Sequence, residues 1–525
     1  MKIKQCIISM AMVVLCVFGA ACAAPDTQGN SDSEKVTDIP EELTPEPSEE
    51  PTSTPVPTPV PQYSKVKIDE SKTYQVWESF GVSGAWWAQY VGGWDQPYKD
   101  RELATREEIA RYLYSMDGGI GLTSYRFNLG AGSKEARNGT FWDDNRRAES
   151  FEKAPGVYDF TKDANSVWFL KRVVELTEGN VDIVFFCNSP LCRLTVNGMA
   201  HMTEGGSKVN LLPENYDDFA TYVLDVTEYF VSQGIPVTDI SPINEPQWDW
   251  YNGQEGCHYE PAEAAAVLRT FVDEIGKRES LSGVRISGPE SGEWGGRTKD
   301  YINAIMKDAV LKDYFDVLDC HSYWTKKSTK EEFKRWMNTR YPDVKLRTSE
   351  WVEMVNGTDY TMDSAFNLAD EIYDDLTVLD VVAWQYWVGV APGNYRDGLI
   401  YVNTSAKVCR PAKRLWGYGN FTKFIRPGYT RVAAENPYMD LYNMKSVAFT
   451  GTNTEGREQL VLVLINREEE KTFQLALSET GKYTEYEVYT TNENCDLEKT
   501  EQGTYTDNQA ITIQGESIVT VILTK

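Results

Sequence analysis

Val237-Thr-Asp-Ile-Ser-Pro-Ile-Asn-Glu-Pro246 begins as a short apolar strand and ends in an amide and a carboxylate. A helical stretch follows at Pro261–Arg278, with Ala264, Val267, Leu268, Phe271 and Ile275 on one face. The same unit of apolar strand, polar tail and helix recurs along the chain. Upstream strand candidates are Trp77–Ser83, Gly121–Phe127 and Val181–Phe186, with a second helical stretch at Tyr216–Gln233. Downstream candidates are Val284–Ser287, Phe315–Cys320, Asp343–Thr348 and Val381–Tyr386. Alternating β and α elements with buried parallel strands predict an α/β fold, a (β/α)8 TIM barrel. A doubly wound sheet is the alternative. It would want a glycine-rich phosphate loop after its first strand, and neither GxGxxG nor GxxxxGK[ST] occurs.

From about Thr430 the helical pattern stops. Gln459–Ile465, Tyr483–Tyr489 and Ser517–Leu523 read as β-strands between polar, turn-rich segments, which predicts a fused side β-sandwich. Lys65–Tyr74 is placed to add a strand to it. The expected organisation is a leader at 1–22, a linker at 23–62 and a sandwich strand at 63–76. The barrel follows at 77–429 and the C-terminal sandwich at 430–525.

Lys2 and Lys4 precede an apolar run from Ile7 to Ala21, the length of a signal h-region and short for a membrane span. Gly19-Ala-Ala-Cys22 resembles a bacterial lipobox, with Cys22 as the lipidated residue; plain secretion, with cleavage after Ala23 or Ala24, is the alternative. Residues 23–62 hold nine prolines and nine acids against a single lysine, Lys35. Such a segment favours extended polyproline II and resists collapse. The expectation is an extracellular body tethered to a bacterial cell surface, touching the membrane only through a lipid on Cys22.

The 525 residues carry a formal charge of −27. An acidic surface repels phosphate backbones, so nucleic acid is not an expected partner. Only His201, His258 and His321 are present, which argues against a histidine-rich metal centre. Cys187, Cys192, Cys257, Cys320, Cys409 and Cys495 lie outside the leader. They are read as buried thiols or as disulfides whose pairing sequence does not choose. Cys187 and Cys192 are near enough to pair locally.

Barrel enzymes place reactive groups at the C-terminal ends of strands. Here strand four ends Asn244-Glu245 and strand seven ends Ser349-Glu350-Trp351. Two carboxyl groups on facing strands suit glycosidic cleavage: one protonates the leaving oxygen, the other attacks the anomeric carbon, and retention needs them roughly 5 Å apart. Trp86, Trp87, Trp94, Trp248, Trp250, Trp324, Trp351, Trp384 and Trp387 follow or end candidate strands. They fit a cleft whose apolar walls stack on sugar faces, with core packing claiming a share of them.

Several motifs, in this order, resemble glycoside hydrolase family 30 over roughly residues 65 to 525. They are Glu78-Ser-Phe-Gly-Val-Ser-Gly-Ala-Trp-Trp87, Tyr125-Arg-Phe-Asn-Leu-Gly130, Asn188-Ser-Pro190, Ser241-Pro-Ile-Asn-Glu-Pro-Gln247 and Gln254-Glu-Gly-Cys257. His321-Ser-Tyr323, Ser349-Glu-Trp351 and Asn420-Phe-Thr-Lys-Phe-Ile-Arg-Pro-Gly428 complete the set. The resemblance implies a retaining enzyme with Glu245 as acid/base and Glu350 as nucleophile. It implies that Asn244 bonds the sugar 2-hydroxyl, that Tyr323 orients Glu350, and that Arg126 lies beneath Glu350 and favours its ionised form. His321, Asn188, Trp87 and Trp384 are implied wall residues of the sugar site. After Asn188-Ser-Pro190 the chain runs Leu191-Cys-Arg-Leu-Thr-Val-Asn197, where many relatives carry tryptophans and methionine.

No cofactor or metal is called for, and the expected partner is a polysaccharide or oligosaccharide bound by a monomer. Trp86-Trp87 resembles the branch acting on β-1,6-galactan of arabinogalactan side chains. Other branches cut xylan or β-1,6-glucan, or release single sugars. Arg193 and Arg396 are candidates to capture a uronate. A glycan-binding lipoprotein without turnover is the reading from another class, and such a protein has no need of Glu245, Glu350, Asn244 and Tyr323 together.

Overall fold

Strand β1 (Ser64–Val76) is followed by β2 (Ser79–Ser83), β3 (Ser124–Asn128) and a short hairpin of β4 (Glu152–Ala154) and β5 (Val157–Tyr158). Then come β6 (Asp182–Phe186), β7 (Val237–Ser241), β8 (Arg285–Ile286), β9 (Pro289–Ser291), β10 (Val317–His321), β11 (Lys345–Trp351) and β12 (Ala383–Ala391). The computed structural model describes residues 62–206, 208–438 and 444–525. The leader, the linker up to Pro61 and Cys22 lie outside the described residues. Among the described residues no helix is long and apolar enough to cross a membrane.

The sheet order is β8-β7-β6-β3-β2-β12-β11-β10-β9, and these pairings are parallel. All eight predicted barrel strands fall within this curled sheet. Its two terminal members, β8 and β9, are separated in the chain only by Ser287 and Gly288. Ser287 N–H donates to Ile240 and Gly288 accepts from Asp319, so this short link bonds to β7 on one side and β10 on the other. The strands are almost wholly buried, which is why they read as continuous apolar runs rather than alternating ones.

The helix at Pro261–Ile275 shows how the helical layer is set. Pro261 occupies the first turn, where its missing N–H costs nothing, and Glu260 and Glu263 form a reciprocal capping box. Ala264, Val267, Leu268, Phe271 and Ile275 are buried, the face that the sequence spacing predicts.

A second sheet contains β1 and eight further strands. After β13 (Gly398–Asn403) and β14 (Val408–Pro411), which extend the first sheet from β12, these are β15 (Thr430–Glu435), β16 (Lys445–Thr452), β17 (Glu458–Asn466) and β18 (Lys471–Leu477). The last are β19 (Glu485–Thr491), β20 (Glu498–Thr504), β21 (Ala510–Ile513) and β22 (Ser517–Thr524). The order is β20-β19-β22-β17-β16-β15-β1-β18-β21, one continuous nine-stranded sheet. Side chains on a strand alternate between faces. Leu460, Leu462 and Leu464 of β17 enter a core within this sheet, with Phe473 and Ile511 from its other end. Val461, Val463 and Ile465 face the opposite way and join the core of the parallel sheet. Burying each such side chain contributes about 1.5–3 kcal/mol, so Leu462→Asp would break the first core and Val463→Asp the join.

Candidate active site

The C-terminal ends of the parallel strands gather five ionisable side chains. Glu245 follows β7, Glu290 lies in β9, His321 ends β10, Glu350 lies in β11, and Arg126 in β3 stands beneath them. All five are buried. Glu245 and Glu290 both adopt left-handed backbone, with φ of 41° and 55°. The Glu245 N–H donates to the Glu290 carbonyl at 2.9 Å, which fixes the two turns against each other.

Arg126 bonds Oε2 of Glu350, reaches Asn244 Oδ1 at 3.0 Å and lies 3.5 Å from Glu290 Oε2. Its guanidinium rests on the Phe186 ring, 3.9 Å from the centroid. The Tyr323 hydroxyl donates to Glu350 Oε1 at 2.9 Å. His321 Nδ1 lies 3.1 Å from Glu245 Oε1 and 3.4 Å from Glu350 Oε1, and its Nε2 lies 3.1 Å from Glu290 Oε2. Carboxylate oxygens of Glu245 and Glu350 approach within 4.8 Å. Those two carboxylates and His321 could in principle hold a cation. Their atoms are already tied by His321 to Glu245 and by Arg126 to Glu350, and the guanidinium supplies the positive charge.

Electrostatics divides the carboxyl groups. Burial pushes Glu350 up from the usual range, against the pull of His321 and Arg126. For Glu290 burial is outweighed by Arg126, His321 and Ser349, which hold it down to about 2. Burial would drive His321 toward its neutral form, but Glu350, Glu245 and Glu290 outweigh it and raise the ring to about 9. Imidazolium and guanidinium thus stand among three buried carboxyl groups.

Above the cluster opens a cleft of about 1170 Å³. Glu245 and Glu350 form part of its floor. Trp248 and Trp324 line it, edge to face at 5.7 Å, and both are substantially exposed. Trp86 and Trp387 also line it and pack edge to face at 5.2 Å. Trp142 projects from the rim over Gly253. A Cβ there would fall 2.4 Å from the indole, and the φ of 91° already favours glycine.

The structure brings Glu245, Glu350, Asn244 and Tyr323 to the cleft and places Arg126 and His321 directly beneath. Trp87 reaches the cleft only marginally; its Nε1 is spent on the Ser83 carbonyl and its ring packs on Phe169. Trp384 is a correction. It is fully buried and away from the cleft, donating from Nε1 to Asp375. Alternation along β12 sends Trp384 and Tyr386 toward the helices, while Trp387 faces the cleft. Asn188 is also corrected. It is buried outside the cleft wall, with its amide donated to Asn128. Neither arginine named for a uronate faces the cleft: Arg193 pairs with Glu152, and Arg396 with Glu353 and Asp359. Arg146 lines it instead, between the rings of Trp86 and Trp142. The sequence reading also missed Glu290, whose only signal is a carboxylate just after the Val284–Ser287 strand. The six described cysteines are free thiols, and burial pushes Cys192 and Cys257 up to about 12.

The sequence pattern of O-glycosyl hydrolase family 30 matches residues 63–401. An endo-β-1,6-galactanase of Hypocrea rufa is 22% identical over 440 residues, covering 76% of this chain and 80% of that protein. A glucuronoxylanase of Bacillus subtilis is 24% identical over 313 residues, covering 56% of this chain and 63% of that protein. A conserved exported protein from Bacteroides fragilis shares the fold with a TM-score of 0.75 at 24% identity, covering 87% of this chain and all of that structure. With a family pattern spanning well over half its length, and two carboxyl groups facing each other across an aromatic cleft, the chain belongs to O-glycosyl hydrolase family 30.

Proposed function

We propose that this glycosidase cleaves β-1,6-linked galactan, such as arabinogalactan side chains, with retention of anomeric configuration. The observation that carries retention is the approach of Glu245 and Glu350 oxygens within 4.8 Å. That spacing leaves no room for the water an inverting enzyme holds between carboxylates roughly 6.5–9.5 Å apart. In this reading β8 and β9 are two halves of one strand, so the parallel sheet closes as a (β/α)8 barrel with the nine-stranded sheet folded beside it as a sandwich.

Glu350, whose anion Arg126 and Tyr323 favour against the pull of burial, attacks the anomeric carbon while Glu245 protonates the departing oxygen. A glycosyl ester forms on Glu350. Glu245, now a carboxylate, takes a proton from water, which attacks the same carbon and frees Glu350. Asn244, bonded to Arg126, faces the sugar 2-hydroxyl. The leaving half lies toward Trp248 and Trp324, beside Glu245, and the retained half toward Trp86 and Trp387.

The galactan assignment rests on the Hypocrea rufa relative, matched over most of both chains, and on the Trp86-Trp87 pair. Its test is product release by residues 62–525 on β-1,6-galactan, arabinogalactan, glucuronoxylan, xylan and β-1,6-glucan, with Glu350→Gln as control. Oligosaccharides from β-1,6-galactan are expected. Products from another member alone would move the substrate, and binding to the panel without products would favour the glycan-binding reading. The location we propose is the bacterial cell surface, through a lipid on Cys22. Cys22→Ala should release the protein from the membrane fraction, and unchanged fractionation would overturn the anchor.

A further inference from the structure

We propose that Glu290 is a positioning residue of this site: from beneath the Glu245–Glu350 pair, its carboxylate fixes the proton on His321 Nε2 and so determines what His321 presents to both carboxyl groups. The inference rests on the glycosidase reading for its purpose, though not for its geometry.

Three donors converge on Glu290. The Ser349 hydroxyl donates to Oε2 at 2.5 Å, His321 Nε2 stands at 3.1 Å from the same oxygen, and Arg126 at 3.5 Å. Glu290 is fully buried, so no water competes for these bonds. An ionised carboxylate only accepts, so the nitrogen facing it must carry hydrogen. Nε2–H is therefore set from below, and Nδ1 is the nitrogen left to face Glu245 and Glu350. A second proton on Nδ1 makes the ring a donor to Glu245 and a counter-charge to Glu350. The logic is that of a buried carboxylate holding a histidine in one tautomer. Glu290 also holds the Glu245 backbone through its carbonyl, so one residue positions both the acid and the ring beside it.

Other groups around the ring are accounted for. Glu245 comes from the turn after β7 and Glu350 from β11. Tyr323 packs edge to face at 5.7 Å, and Arg126 lies beyond Glu290 and Glu350. Asp319, two residues earlier in β10, lies against Arg347 at 3.7 Å and is raised to about 7 by burial, with Glu290 adding to the rise. Among these, only Glu290 bonds Nε2.

The chain has three histidines, which makes the ring observable by itself. The full chain labelled with 15N-histidine would be titrated from pH 5 to 9, with His321→Gln identifying the His321 signals. In the parent protein Nε2 should carry hydrogen throughout, and the ring should hold its second proton through neutrality. In Glu290→Gln the second proton should leave at least about one pH unit lower, and both neutral tautomers should appear. Glu290→Asp keeps the charge but withdraws it from Nε2, and should give a smaller shift the same way. It also serves if the glutamine variant does not fold. On the best glycan, kcat should fall on the order of 10- to 100-fold, as for other residues that orient a working ring, with KM little changed. A His321 titration identical to that of the parent in both folded variants would overturn the proposal. The titration needs no substrate, so it stands or falls separately from the glycan panel.

Discussion

Tyr323 and Arg126 hold opposite oxygens of one carboxylate: the tyrosine hydroxyl donates to Oε1 of Glu350 at 2.9 Å, and the guanidinium bonds Oε2. A carboxylate gripped at both oxygens cannot rotate, and each grip favours the anion. Hydrogen bonds to charged groups contribute about 1.5–3 kcal/mol. Tyr323→Phe should therefore lower kcat/KM about 10- to 100-fold. Losing the donor raises Glu350 further, so the nucleophile protonates sooner as pH falls. The acidic limb of the kcat/KM profile should move to higher pH. A limb that stays in place would show that Tyr323 does not set the ionisation of Glu350.

The pair itself predicts two different kinetic signatures. Glu350→Gln removes the nucleophile and should reduce turnover to background with glycan binding retained. Glu245→Ala removes the proton donor, worth about 10²- to 10⁴-fold. That loss should shrink on substrates with an acidic leaving group, and azide should restore rate by attacking the glycosyl ester. Substantial activity in Glu350→Gln would assign the nucleophile elsewhere.

Two tryptophans three residues apart in β12 should behave oppositely. Trp384→Phe deletes the donor to buried Asp375 and should cost about 1–3 kcal/mol of stability with KM unchanged. Trp387→Ala opens the cleft wall and should raise KM and lower kcat/KM. Urea unfolding and steady-state kinetics on both variants check the pair. A KM effect confined to Trp384→Phe would reverse the assignment.

That contrast marks where sequence reading stops. The strands of the parallel sheet were legible because a parallel strand buried on both faces gives a largely apolar run. The same apolar run hides which face a side chain occupies. Nothing in Ala383-Trp-Gln-Tyr-Trp387 separates an indole meant for the helices from one meant for the cleft. Glu245 and Glu350 stood out through their Asn-Glu and Ser-Glu-Trp contexts. Glu290 did not, because its strand, Pro289–Ser291, is too short for a periodic signal. Arg146 was invisible for another reason. It comes from a long excursion after β3 and meets Trp86 only in three dimensions. In the second sheet the apolar strands were evident, but not that Leu462 and Val463 serve different cores.

Stability should fall as pH rises from 5.5 to 8.5. Glu255 is fully buried, accepting from Ala131 N–H at 3.0 Å and the Ser133 hydroxyl at 2.6 Å, and burial pushes it up to about 7. Asp163 is raised to about 7 and Asp182 to about 6 by the same cause. A carboxyl group raised in the folded state binds its proton more tightly there than in the unfolded chain. Stability is then greatest below the unfolded value, near 4.5 for Glu255, and is lost as pH climbs through about 7. His321 acts in the same sense. Raised to about 9, it contributes stability below the unfolded value of 6.5 and loses it as pH rises through about 9. Glu290 is held to about 2, so its contribution is already complete throughout this range. The net charge of −27 adds self-repulsion at the alkaline end. Melting temperature should therefore be higher at pH 5.5 than at pH 8.5. Glu255→Gln keeps one acceptor oxygen, enough for the Ala131 N–H, and removes the titrating group, so it should flatten the slope of melting temperature against pH. A melting temperature that climbs between the two pH values would mean these acids are solvated in the folded protein.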